Sequence, residues 1–146
     1  MPAVEFSVPF VAGKARPRFG RGCVYTDDGT RRRERAIWAA YEGTCRAEGF
    51  PYALTAPRGA EVDVEIRVWG ALPKSRRGGA NAEPFTVRPD ADNVAKLVLD
   101  ALNPSAAEGR AGAWRDDAQV TRLEVRKVVR ARGVEPRTDV TVRWEG

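Results

Sequence analysis

The sequence predicts an α+β domain of two layers: a four-stranded sheet, mixed or mainly antiparallel, with two helices on one face. Three observations predict it. Four stretches alternate apolar and polar residues with a period of two, two stretches repeat apolar residues every three to four positions, and Gly- and Pro-bearing segments separate them. Parallel strands buried on both faces would be apolar throughout, so the alternation argues for a sheet with one wet face.

The first strand places Val4, Phe6, Val8 and Phe10 on one side. A helix follows over 30–48, with Ile37, Trp38, Tyr41 and Cys45 at helical spacing and Gly49 and Pro51 to stop it. Val62, Val64, Ile66 and Val68 form the inner side of the second strand. Residues 70–89 are a long Gly- and Pro-rich loop carrying Lys74, Arg76 and Arg77, and loops of that length inside a compact domain usually have a function or are disordered. A second helix starts after Pro89, runs to about Leu102 and closes at Asn103-Pro104. Its apolar stripe is Val94, Leu97, Val98, Ala101 and Leu102. Residues 103–113 read as a flexible connection to a third strand, marked by Leu123, Val125 and Val129. Val140, Val142 and Trp144 mark the fourth. Trp38 and Trp144 are expected in the core and Trp114 beneath a turn, while Trp69, opposite the Val62–Val68 side, is an exposed aromatic open to a partner or DNA.

With 146 residues, the chain is expected to form one domain, residues 1–146, around one core. No stretch approaches the roughly 18 apolar residues of a membrane span, and no charged-then-apolar leader begins the chain, so a soluble, cytoplasmic protein is expected. Cys23 and Cys45 form neither a zinc spacing nor a disulfide framework, which fits a reducing compartment. Histidine is absent altogether. That excludes Ser-His-Asp and Cys-His nucleophiles, imidazole acid–base chemistry and His-ligated metals. Carboxylates, lysine and arginine remain, and a metal held by such oxygen ligands has to be hard: magnesium, manganese or calcium. The formal charge of +5, with a pI near 9.7, favours an acidic partner such as nucleic acid.

Against that basic background, acids cluster in two places. The stretch "RPDADNVAKLVLDAL" (88–102) carries Asp90, Asp92 and Asp100 with Lys96 between them. At about 100° per residue, Asp92, Lys96 and Asp100 lie opposite the apolar stripe, as a solvated helix face does. Asp90 stands where an N-cap belongs. It can equally swing beside Asp92, because a cap residue is not helical, and a D-x-D pair at a helix mouth suits a hard cation. A second pair, Asp116 and Asp117 in "WRDDAQV", precedes the third strand, where an ordinary turn is the plain alternative. Asp100 lies roughly 12 Å along the helix from Asp92, against roughly 6 Å for Lys96. Magnesium–oxygen bonds are about 2.1 Å, so Asp92 and Asp100 do not share an ion. Lys96 is placed to reach a phosphate held at Asp92, with Asp100 steering it.

"RPDADNVAKLVLDAL" followed by "AWRDDAQVTRLEVRK" resembles the signature of the RusA family of Holliday-junction resolvases, and "GKARPRF" (13–19) resembles the family's N-terminal basic segment. The resemblance implies a RusA-like fold and a magnesium-dependent endodeoxyribonuclease, with manganese a possible substitute. It implies a homodimer that cuts branched, four-way DNA junctions in recombination and repair. On it, the metal-binding aspartates fall on Asp90, Asp92 and Asp117 and the essential lysine on Lys96. Asp100, Asp116 and Gln119 match supporting positions.

For holding DNA, the candidates are Lys14, Arg16 and Arg18, the Arg31–Arg33 run that opens the first helix, and Lys74, Arg76 and Arg77. Each alone is as readily a solubilising surface charge. Lys127 shares a strand side with Leu123 and Val125, either snorkelling at an edge or meeting DNA or a partner. At roughly 33 Å for ten residues of strand, it is too far from Asp117 to serve the same metal. Two other functions fit the composition. One is a nuclease acting on forks, flaps or other branched DNA; the other is a non-catalytic DNA-binding module whose acids are only cap and solvent face.

Overall fold

In a computed structural model, residues 2–14, 18–20, 23–25, 28–73 and 81–145 are described, with only the backbone for 18–20 and 23–25. The elements are β1 (Ala3–Val8), β2 (Arg18–Gly20), β3 (Cys23–Tyr25), α1 (Asp28–Ala47), β4 (Val62–Ala71), β5 (Ala82–Glu83), α2 (Ala91–Leu102), a 3₁₀ turn (Asp117–Gln119), β6 (Val120–Ala131) and β7 (Arg137–Trp144). The main sheet has five strands in the order β1-β7-β4-β6-β5, and β2 and β3 form a separate hairpin.

The expected α+β class and mixed sheet are found, with five strands instead of four. The extra member, β5, is only two residues long and pairs with Arg130 and Ala131 at the far end of β6. Two residues are too few for alternation to register. β1 also ends at Val8 rather than Phe10, because Pro9 has no N–H for the ladder.

β4 sits at the centre, antiparallel to β7 and parallel to β6. Its alternation is complete: Val62, Val64, Ile66, Val68 and Gly70 are buried and the residues between are half-buried. At Gly70 a Cβ would come within 2.7 Å of the Phe85 ring, so a side chain here would displace the segment leading to α2. The helices cover the inner side, where α1 packs on β1 and α2, and α2 on β6. Tyr41 shows how α1 is held: its ring meets Phe6 edge-on at 5.8 Å and stacks on Trp38 at 5.4 Å, while its hydroxyl donates to Leu54 O at 2.6 Å. Burial pushes its phenol well above the ordinary value. The outer side of the sheet is a lattice of charges; Arg122, for example, donates to both carboxylate oxygens of Asp63 at 3.1 Å and to Glu124 at 2.8 Å.

The 103–113 connection is ordered, contrary to the flexible segment expected from its Gly and Ala content. Ser105 and Arg110 exchange backbone hydrogen bonds at 3.0 Å each, and Ala113 N donates to Leu102 O at 2.8 Å. Gly112 adopts φ +85°, and a Cβ there would lie 2.6 Å from Pro104 N. The turn therefore requires glycine. Trp114, fully buried, donates from its indole N–H to Asn103 Oδ1. It is part of the buried core and is tied to the start of the 103–113 connection. Among the described residues, no helix is long and apolar enough to cross a membrane.

Candidate active site

The two acid-bearing segments fold into different local structures, and those structures sort their carboxylates. Asp90 occupies the N-cap position of α2 in extended conformation (φ −70°, ψ 149°), and its carbonyl accepts from Asn93 N and Val94 N at 3.1 Å each. Its side chain makes no capping bond. An N-cap aspartate normally spends its carboxylate on the first turn's N–H groups, so this one is left uncommitted. Asp92 and Lys96, both exposed, have no hydrogen-bond or ion-pair partner among the described residues. Side chains four apart on a helix start about 5–6 Å from each other. An anion at the mouth of α2 would thus meet the helix N-terminus and the Lys96 ammonium together.

In the second segment the neighbouring acids have opposite fates. Asp116 caps the 3₁₀ turn, its Oδ1 accepting from Ala118 N at 2.9 Å. Gln119 closes the box, its Oε1 accepting from Arg115 N and Asp116 N at 2.9 and 3.2 Å. The Gln119 amide then donates to Pro57 O at 2.9 Å and Ala60 O at 3.1 Å, anchoring the turn to the segment before β4. Asp117, one residue later, is exposed, and its carboxylate has no partner among the described residues. Asp116 and Gln119 hold the turn, and Asp117 is what the turn displays.

Asp100 is committed elsewhere. Its carboxylate accepts from Lys14 Nζ at 2.6 Å rather than steering Lys96. Lys14 also approaches Glu34 Oε1 at 3.6 Å, and Arg110 approaches Glu34 Oε2 at 3.9 Å while donating to the carbonyls of Asn103 and Asp100 at 3.0 Å each. Lys14, a candidate for DNA, therefore has its ammonium tied into an ionic core joining the chain after β1 to α1, α2 and the 103–113 turn. Glu34 and Arg110 were not singled out from sequence. A signal for Glu34 exists: it falls on the same helical stripe as Thr30, Ile37, Tyr41 and Cys45, all buried.

Arg31, Arg32 and Arg33 are exposed on the first turns of α1. Arg16, Lys74, Arg76 and Arg77 lie outside the described residues, as do the side chains of Arg18 and Cys23. Lys127 is half-buried, with its ammonium 4.7 Å from the Phe85 ring centroid and donating to Val87 O at 2.6 Å. Trp69 is half-buried and covered by the Arg137 guanidinium, 4.2 Å from its ring centroid.

The three candidate ligands do not converge within one chain. The N-terminal end of α2 is fixed by Lys127 through Val87, and by Lys14 N, which donates to Asn93 O at 2.9 Å. The segment leading to the 3₁₀ turn is fixed at the opposite end of α2, through Ala113 to Leu102 and Trp114 to Asn103. A twelve-residue helix rises about 18 Å. Ligands to one magnesium ion must bring oxygens within about 2.1 Å of it. Asp117 of the same chain does not join Asp90 and Asp92. Among the described residues, no group of three or more His, Cys, Asp or Glu side chains comes together to hold a metal.

Residues 9–143 match the family described as "Endodeoxyribonuclease RusA". The chain is also similar to "Uncharacterized protein YqaN" of Bacillus subtilis (strain 168), with 28% identity over 155 residues that cover 98% of this chain and 97% of that protein. The family match takes in both helices, the last four strands of the main sheet and both acid-bearing segments, and the chain belongs to the RusA endodeoxyribonuclease family.

Proposed function

We propose that this chain is a magnesium-dependent, structure-specific endodeoxyribonuclease that resolves four-way DNA junctions as a homodimer. The observation that carries the proposal is the sorting of side chains. Asp90, Asp92, Lys96 and Asp117 are uncommitted among the described residues, whereas Asp100, Asp116, Gln119 and Lys14 are bound within the protein. Acids at the mouth of a helix favour its dipole in any fold, but left unbound by the first turn's N–H groups their oxygens also stay open to a hard cation.

A phosphodiester is anionic and resists attack, so hydrolysis near neutral pH requires neutralised charge at the phosphate. Lys96 supplies a cation one helical turn from Asp92, fit to stabilise negative charge on a phosphate lying over the N-terminus of α2. Magnesium, or manganese in its place, suits an all-oxygen ligand set and would supply the remaining positive charge. Arg31, Arg32 and Arg33 are the described exposed cations among the DNA candidates. A junction requires two symmetric cuts, for which a two-fold dimer offers two equivalent sites.

The test compares a four-way junction, a fork and linear duplex as substrates for the purified protein with magnesium. Paired nicks on the junction, lost in Asp92→Asn, are expected. Preference for the fork would move the substrate to other branched DNA, and binding without nicking would make the protein a DNA-binding module. Cutting by Asp92→Asn at close to the wild-type rate would remove the site assignment.

A further inference from the structure

The turn that displays Asp117 is bound to the wall of a pocket that the nuclease reading leaves unused. The pocket has a volume of about 510 Å³, and its walls include Trp38 and Glu42 of α1, Tyr52 and Thr55 of the segment before β4, and Arg115. We infer that it takes one unpaired nucleobase of the DNA strand whose phosphate is engaged at Asp117. This rests on the nuclease reading above and adds what the protein holds besides the phosphate.

The lining suits a flat, uncharged ring. Trp38 is half-buried, and its indole is held in place by stacking on the buried Tyr41, with 5.4 Å between ring centroids and 29° between planes. Tyr52 is 63% exposed. A lone exposed tyrosine is ordinary, but one that shares a pocket with an indole and a guanidinium makes a stacking surface for bases. Arg115 is exposed, and its guanidinium has no partner among the described residues.

Charge favours a base over a phosphate. Among the described lining residues Arg115 is the cation and Glu42 the carboxylate, so an anion entering the pocket meets repulsion as well as attraction. Arg46 approaches Glu42 only at 3.9 Å, a loose surface pair. A base carries no net charge, stacks through either face, and offers donors to a carboxylate and acceptors to a guanidinium along its edge.

Hydrogen bonds tie the pocket to Asp117. Thr55 Oγ1 donates to Gly112 O and Ala56 N to Ala113 O, both at 2.8 Å. Gln119 Nε2 donates to Pro57 O at 2.9 Å and to Ala60 O at 3.1 Å. The segment that carries Tyr52 is thus bound to the 112–119 stretch on both sides of Arg115. Two residues of chain span at most about 7 Å, so Arg115 and the Asp117 turn are neighbours. A nucleotide whose phosphate meets Asp117 has its own base, or the next, within reach of the pocket. In a duplex that base is stacked and paired. An unpaired base at a branch costs least to turn out, so the pocket favours branched DNA.

The test compares two four-way junctions in EDTA, where nothing is cut. One carries an unpaired thymidine at the crossing point of each strand; the other carries an abasic residue there, with the same phosphates. The wild type should bind the first about tenfold more tightly. Tyr52→Ala and Arg115→Ala should bind both junctions alike, at the affinity of the abasic one, with unchanged melting because both side chains are exposed. Tyr52→Phe keeps the ring and should recover the preference. Equal wild-type affinity for the two junctions, or an undiminished preference in Tyr52→Ala, would overturn the base pocket. Magnesium added to the same samples separates the two readings. Base preference without cutting would refute the nuclease and keep the pocket, whereas cutting without base preference would refute the pocket and keep the nuclease.

Discussion

Lys14 Nζ lies 2.6 Å from Asp100 Oδ2 across 86 residues of sequence, a contact added to the buried apolar stripe that seats α2. It binds the segment leaving β1 to the exposed side of the helix that carries Asp92 and Lys96. With Glu34 and Arg110 it forms a partly buried ionic cluster. Removing one member of such a cluster strands its partners more than it removes an attraction.

Lys14→Ala is therefore expected to act on stability before DNA. It should cost about 1–3 kcal/mol of folding stability, the range for leaving a buried polar group unsatisfied. Thermal melting checks this. The salt dependence of junction binding should keep its slope; a slope reduced by about one unit would mark Lys14 as a phosphate contact.

Asp116 and Asp117 provide an internal contrast. Asp116→Asn keeps an acceptor for Ala118 N, so it should fold and cut close to wild type, whereas Asp116→Ala loses the cap and about 1 kcal/mol. Asp117→Asn should leave melting unchanged and abolish cleavage. Equal losses in Asp116→Asn and Asp117→Asn would assign the metal role to both.

Gly112→Ala should be among the most damaging changes to the fold. The backbone there is left-handed, and the added Cβ meets Pro104 N at 2.6 Å. Strain of about 1–2 kcal/mol from the conformation adds to about 1–3 kcal/mol of overpacking. Because Ala113 and Trp114 connect this turn to Asp117, the variant should also cut more slowly at temperatures where it remains folded. Melting and single-turnover cleavage measure the two effects separately.

Alkaline stability should depend on Tyr41. Its phenol is raised well above the ordinary value of 10.0, chiefly by burial. Below pH 10 both folded and unfolded forms hold the proton, and nothing changes. Above it the unfolded chain releases the proton first, so unfolding gains and stability falls as pH rises. Tyr41→Phe should lose about 0.5–1.5 kcal/mol at neutral pH with the bond to Leu54 and show a shallower decline above pH 10. Urea titrations at pH 7, 10 and 11 decide this; an unchanged alkaline slope would shift its origin to other groups.

The sequence was sufficient for whatever depends on spacing along the chain. Alternation located the inner faces of β1, β4 and β7, the apolar stripe bounded α2, and the absence of histidine restricted the chemistry to carboxylates and cations. It also brought Asp90, Asp92, Lys96 and Asp117 to notice. Local periodicity reports which side of an element is apolar, and those elements bury the side it indicates. β6 is the exception: its pattern matches a buried strand, but the cover for Leu123 is missing from the single chain. The two-residue β5 was invisible because it has no period.

Tertiary structure alone decided which charged groups are free. Lys14 and Asp100 find each other over 86 residues and Gln119 finds Pro57 over 62, and no spacing rule reaches that far. It also decided that the segment leading to Asp117 departs from the end of α2 far from Asp90, where Ala113 and Trp114 are bonded to Leu102 and Asn103. Side-chain type and periodicity are written along one dimension; partnership, exposure and distance are set by three, once the sheet and helices have closed on a common core.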